Sequence, residues 1–418
     1  SMTEVSSKNI GLRGVTVADS KVSLVDGNEG KLIYRGYSIQ DLAENANFAE
    51  VIYLLLHGRL PTKDELEATE AALAEARRLP EEVLAMLRVR PRNANPMAVL
   101  QSAAAALADH DPDLGSQDRD ARVRSALRLI ARTASVVAAW YNIREGREPP
   151  DPGDSGSHAA GFLRGMWGRE PTDAEVRLMD TLLVIHAEHT FNASTFAVRE
   201  VASTRADIYA SIAAGVGALS GALHGGANAR VMQMLRGIGD EDAVEPWVRS
   251  RIEAGERVMG IGHAVYKTMD PRATVLQKVA QASLGGTAEE KWYRLALKVE
   301  EAATRLLKEL KGLELYPNVD FYSGGVLHAL KLPDDFFPAF FSFSRVSGWF
   351  TSSRRSSQRP SPSRRSTDPG PTTPGVFAVP RVASSCPSSS AAPVALAART
   401  SSAATRSWPW PSPRYQIT

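Results

Sequence analysis

Four short segments gather the residue types that acid–base chemistry needs. They are Ala187-Glu188-His189-Thr190-Phe191-Asn192-Ala193-Ser194-Thr195, Leu223-His224-Gly225-Gly226-Ala227-Asn228, the run Met259–Arg272, and Tyr316–Gly325 with Asp320 at its centre. His224 stands beside two glycines and just before a helical run, Ala227–Leu235. Glycine lets a ligand approach the backbone. A histidine at a helix N-terminus has its cationic form disfavoured and can serve as a neutral hydrogen-bond donor. In the third segment a loop, Met259-Gly260-Ile261-Gly262-His263, leads to Asp270-Pro271-Arg272. Asp is a favoured N-cap and Pro a favoured first helical residue. Arg272 then projects from a fixed first turn, which suits gripping a carboxylate. Asp320 lies among apolar residues and glycines, so its pKa is expected to rise toward a base's working range.

Singly, each of these residues has a plainer use. A lone histidine is usually structural, and an Asp before glycines is usually a turn residue. His57, His110, His158 and His328 are assigned such structural roles. The functional reading rests on the conjunction of three histidine segments, one Asp and one capped Arg, all in turn-rich places between long helices.

Those helices can be traced. Ser38-x-x-Asp41, Thr62-x-x-Glu65 and Thr172-x-x-Glu175 are capping-box patterns, each ahead of a helical run. Leu42, Val51, Ile52, Leu55 and Leu56 form an apolar face that stops at His57-Gly58, a plausible C-cap. Ala-rich helices are expected around Asp64–Arg78 and Ala121–Trp140. Asp173–His186 is apolar on most faces, which predicts a buried central helix. Strand signal is confined mainly to Val15–Val25 and Lys31–Arg35. The fold class is therefore all-α, with a small β element near the start. Gly215-Val216-Gly217-Ala218-Leu219-Ser220-Gly221 has some likeness to a dinucleotide loop, but no strand precedes it. Close helix packing is the expected use of those glycines.

The composition of 418 residues, 43% hydrophobic and 23% charged, is that of a globular protein with ample core. The net charge of +2 hides a division. Residues 352–418 hold nine Arg and one Asp, with no Lys or Glu, which leaves 40 basic against 46 acidic side chains in the rest. An acidic body gives no reason to expect nucleic acid. No long uncharged apolar run suggests a membrane span. The single cysteine, Cys386, allows no intramolecular disulfide, which fits a reducing, cytoplasmic setting. The segment 352–418, with sixteen Ser and eleven Pro, reads either as a disordered basic tail or as the product of a frameshift.

The four segments resemble, in order and approximate spacing, the motifs of the citrate synthase family. The resemblance runs from about Gly11 to Thr351 and includes Tyr34-Arg35-Gly36-Tyr37 and Leu54–Leu60. It implies a two-domain helical fold, with residues 1–221 as the first part of a large domain and 222–330 as a small domain. Residues 331–351 would be a helix returning to the large domain. It implies condensation of oxaloacetate with acetyl-CoA by a short, homodimeric enzyme with no permanently bound cofactor and no metal. His224 matches the residue that donates to the thioester oxygen, Asp320 the base, and His263 the residue that polarises the keto carbonyl. His189, Arg272 and Arg345 match substrate-binding residues. Met259, Gly260, Ile261, Gly262 and Lys267 fall where the family binds coenzyme A. A further family arginine, from an Arg-Pro segment reaching the neighbouring subunit's site, has no counterpart, since Arg359-Pro360 stands in the wrong register.

Three alternatives stay open at this level. Propionyl-CoA in place of acetyl-CoA would make the chain a 2-methylcitrate synthase. A catalytically inactive helical dimer is a second. A metal enzyme is the third, weakly supported by His186-x-x-His189 alone.

Overall fold

The computed structural model describes residues 16–222, 224–353 and 414–416. Short strands come first. β1 (Thr16–Asp19) pairs antiparallel with β5 (Arg414–Gln416). β2 (Ser23–Asp26), β3 (Lys31–Tyr34) and β4 (Tyr37–Ser38) form an antiparallel sheet in that order. The strand signal over Val15–Val25 thus falls on two strands. The chain bends at Lys21-Val22, where the Ser20 hydroxyl accepts the Val22 N–H at 3.1 Å. A hydroxyl that satisfies a nearby amide offers the backbone an alternative to the ladder.

Ten helices follow: α1 (Ile39–Asn45), α2 (Phe48–His57), α3 (Lys63–Ala76), α4 (Glu81–Arg88), α5 (Pro96–Ala106), α6 (Arg119–Ile143), α7 (His158–Trp167), α8 (Asp173–His186), α9 (Ala193–Ser203) and α10 (Ile208–Leu219). The apolar face read from Leu42 to Leu56 is carried by two of them. Asn47 breaks it by forming a reciprocal capping box with Glu50, and Asp180 accepts the Phe48 N–H at 3.0 Å. Thr62 and Thr172 form the boxes their spacing predicts. Ser38 caps α1, but Asp41 takes the cap's hydroxyl and not its backbone N–H. Gly58 ends α2 in the left-handed conformation, φ 83°. Every residue of α8 from Leu178 to His186 is buried, as its pattern predicts.

Five more helices, α11 (Ala227–Ile238), α12 (Val244–Glu253), α13 (Pro271–Leu284), α14 (Glu290–Lys311) and α15 (Val319–Ala329), pack largely on one another, with α13 also reaching α8 and α1. The last helix, α16 (Phe337–Ser353), returns to lie against α6, α9 and α10. Its Phe340, Phe343 and Trp349 are fully buried. Burying one such side chain contributes about 1.5–3 kcal/mol, so this helix is anchored from end to end. A Cβ at Gly215 would sit 2.5 Å from Val198 of α9 and 3.3 Å from Trp349, which is the close packing expected of that glycine run. Among the described residues no helix is long and apolar enough to cross a membrane. Of the segment 352–418, all but Ser352, Ser353 and Arg414–Gln416 lies outside the described residues, and so does Leu223.

Candidate active site

The His189 segment is the turn between α8 and α9, and β2 and β3 hold it. The Tyr34 hydroxyl accepts the Glu188 N–H at 3.2 Å and donates to the Glu188 carbonyl at 2.8 Å. The Ser23 hydroxyl donates to Glu188 Oε1 at 3.0 Å and accepts the Thr190 N–H at 3.2 Å. Thr190 has φ +57°, a conformation that costs about 1–3 kcal/mol unless its surroundings impose it. His189 is buried, with Nε2 3.2 Å from the Tyr266 hydroxyl. Burial first, and then Arg272, holds its pKa well below the ordinary histidine value, so it is neutral.

His263 is fixed from behind. Its Nδ1 accepts the backbone N–H of Val265 at 2.9 Å and of Tyr266 at 3.2 Å. An acceptor Nδ1 puts the proton of a neutral ring on Nε2. Burial and then Arg272 lower its pKa to about 4. The Met259–Gly262 loop pairs with the segment leading to Asp320. Gly262 N–H donates to the Tyr316 carbonyl at 2.7 Å, and Asn318 N–H to the Gly260 carbonyl at 2.9 Å. The Asn318 amide also donates to the Gly262 carbonyl at 2.8 Å and caps α15. His263 and Asp320 are therefore positioned by one unit of backbone.

His224 is held in the opposite sense. Its Nε2 lies 3.3 Å from the Ser194 N–H and 2.9 Å from the Ser194 hydroxyl. Because an amide N–H can only donate, Nε2 accepts and Nδ1 carries the proton. The pKa falls to about 4, through burial first and Arg345 second. Burial and a neighbouring cation thus favour the neutral ring, alongside the helix start at Ala227 that the sequence points to.

Asp320 is the second residue of α15, and no described hydrogen-bond donor reaches its carboxyl. Burial drives its pKa up to about 6, against the pull of Arg272. Arg272 does not project free, as expected from sequence. Its Nε and Nη2 clamp Asp270 at 3.0 and 2.8 Å, and Asp270 also accepts the Val319 N–H at 3.1 Å. Asp270 orients the arginine and ties α13 to α15. Arg345 of α16 donates through Nε to the His186 carbonyl at 2.6 Å, while its buried Nη2 has no partner. An unpaired buried guanidinium nitrogen is costly, and an anion satisfies it. Glu188 is buried beside it with Oε2 unpartnered, and its pKa is raised by burial.

The arrangement brings together His189, His224, His263, Arg272, Asp320 and Arg345. Arg272 acts electrostatically on His189, His263 and Asp320, and Arg345 on His189, His224 and Asp320. It can abstract a proton from a carbon acid beside a carbonyl, stabilise the enolate through a neutral donor, and hold an anionic acceptor. Met259, Gly260, Ile261 and Gly262 are partly buried in the loop behind His263, whereas Lys267 is exposed. A cleft of about 780 Å3 runs past Gly225, Gly226 and Arg230 but is lined by none of His189, His263 or Asp320. The converging side chains, not that cleft, mark the site. Among the described residues no group of three His, Cys, Asp or Glu could hold a metal. Ser194, Tyr266, Asp270, Asn318 and Tyr34 were not singled out as functional from the sequence. Asp270 is foreshadowed by its capping position, whereas the cap at Asn318 is seen in the structure alone. Ser194 and Tyr34 act through long-range contacts, and Tyr266 through both its N–H on His263 and its hydroxyl near His189.

A family model for the citrate synthase C-terminal domain matches residues 11–362. The chain is 41% identical to a citrate synthase of Haloferax volcanii over 345 residues, covering 81% of this chain and 89% of that one. It is 42% identical to citrate synthase 2 of Bacillus subtilis over 340 residues, with the same coverage of 81% and 89%. Its fold is similar to the crystal structure of citrate synthase from Pyrobaculum aerophilum, with TM-score 0.78 at 35% identity over 82% of this chain and 87% of that one. It is also similar to a ternary complex of carboxymethyl coenzyme A and oxaloacetate with citrate synthase from Thermoplasma acidophilum. There the TM-score is 0.76 at 31% identity, covering 89% of this chain and 98% of that one.

Proposed function

Because the chain belongs to the citrate synthase family, we propose that the site just described condenses oxaloacetate with acetyl-CoA to citrate and CoA. One observation carries the assignment of roles: two neutral histidines, locked in opposite tautomers, share a site with a carboxyl of raised pKa. Asp320 takes a proton from the acyl methyl group, and His224 Nδ1–H donates to the thioester oxygen as negative charge develops there. A preorganised donor in a dry site is worth far more than one in water. The carbon nucleophile adds to the keto carbon of oxaloacetate, and His263 Nε2–H stabilises the alkoxide. Water then cleaves the thioester and releases CoA. Arg345 Nη2 and Arg272 Nη1 grip the carboxylates, and His189 completes the acceptor pocket. Such clamps convert an encounter into a near-attack geometry.

Met259, Gly260, Ile261, Gly262 and Lys267 are assigned to the coenzyme A mouth. Residues 222–330 are taken as a small domain that closes over the rest to exclude water. The enzyme is taken to act as a cytoplasmic homodimer that holds no cofactor permanently.

Thiol release tests this function. The expected result is CoA production that requires both oxaloacetate and acetyl-CoA; none from the folded protein would sink the assignment. The same assay with propionyl-CoA should give a lower kcat/KM. The two donors differ by one methylene, worth about 1–3 kcal/mol, so a preference for propionyl would reassign the enzyme as a 2-methylcitrate synthase.

A further inference from the structure

The turn between β2 and β3 touches the site from a side the mechanism does not use. Its residues 27–30 are shaped by Asp26, whose Oδ1 accepts the N–H groups of Asn28 at 2.9 Å and Glu29 at 3.0 Å. The turn lies directly on the backbone between His263 and Asp270. The Gly27 carbonyl accepts the Lys267 N–H at 2.8 Å. A Cβ on Gly27 would overlap the Val265 carbonyl oxygen. Gly30, at φ +63°, would place a Cβ 2.5 Å from Thr268 Oγ1 and 3.1 Å from the Met269 carbonyl. The segment under the turn supplies the two N–H groups that fix the His263 tautomer and the Tyr266 hydroxyl that meets His189. The other end of the same hairpin braces the His189 turn through Ser23 and Tyr34. One hairpin thus spans both histidine segments, whose rings lie 5.7 Å apart.

We infer that the β2–β3 turn is a latch, which docks on residues 265–269 when the small domain closes and sets His263 and Arg272 in register with His189. Gly27 and Gly30 are its positioning residues. The inference rests on the proposed function and on residues 222–330 moving as a unit. Two glycines that allow the turn to approach the loop closely, with one backbone hydrogen bond from Lys267 to Gly27, make a contact that can form and break with little repacking of side chains.

The test is Gly27→Ala in the full chain, measured beside the parent. A misplacement near 1 Å costs up to about 10²-fold, so kcat should fall about tenfold or more. KM for oxaloacetate should rise, and the melting-temperature increase caused by oxaloacetate should shrink, with little change in the unliganded melting temperature. A kcat within about twofold of the parent would overturn the latch. A full oxaloacetate-induced shift beside lost activity would overturn it too. If Gly27→Ala does not fold, Asp26→Ala, which loosens the turn without adding an atom, is read by the same criteria. Turnover by the parent separates failure of this inference from failure of the citrate synthase assignment.

Discussion

Asp320→Asn lowers kcat by about 10²–10⁴-fold, the range that a positioned general base contributes. Oxaloacetate binding should change little, because the gripping is proposed to fall to Arg272 and Arg345. A second effect runs the other way. The folded pKa of about 6 lies above that of an unfolded Asp. Folding therefore favours the protonated carboxyl, whose contribution is fully present below the unfolded pKa and is lost as pH rises through about 6. Asn mimics the protonated form. The inactive variant should be more stable than the parent at pH 8, by about 2 kcal/mol after allowing for residual solvent, with the gap shrinking as pH falls toward 4. Urea midpoints at several pH values measure this. A variant that keeps a tenth of its activity, or is less stable at pH 8, contradicts the role given to this carboxyl.

His224→Ala should cost about 10²–10³-fold in kcat, the usual loss when one oxyanion donor is removed. The proposed tautomer sharpens the test. The side-chain amide nitrogen of Asn reaches roughly the place of Nδ1, and that of Gln the place of Nε2. Because Ser194 holds Nε2, His224→Asn should retain more activity than His224→Gln. Equal losses would mean that Nδ1 is not the working donor. Since base and donor serve the same step, the double variant with Asp320→Asn should lose far less than the product of the two single losses.

Much of this was legible because it is local. Thr62 with Glu65, Thr172 with Glu175, and Asp270 ahead of Pro271 are short-range caps, and they form as their spacing predicts. The apolar pattern of α8 required burial, and α8 is buried from Leu178 to His186. The departures from expectation are of two kinds, one decided by a distant partner and one by a near neighbour. The Asn47 break between α1 and α2 is helped by Asp180, more than a hundred residues away. The sequence points to Asp270 as a cap that lets Arg272 project, whereas Asp270 both caps the helix and clamps the arginine. The His224 tautomer depends on an amide thirty residues upstream, whereas that of His263 depends on two amides just after it whose direction only the folded loop sets. Nothing in the composition of those segments states which nitrogen faces the ligand.

The amides behind His263 carry one more consequence. With Nδ1 occupied by two N–H donors, the ring cannot take up a proton at its back to replace one released at its front. His224 is closed in the same manner at Nε2, by an N–H of Ser194. In the proposed mechanism the working nitrogens, Nε2 of His263 and Nδ1 of His224, therefore exchange protons on the cavity side, where the water that cleaves the thioester also arrives.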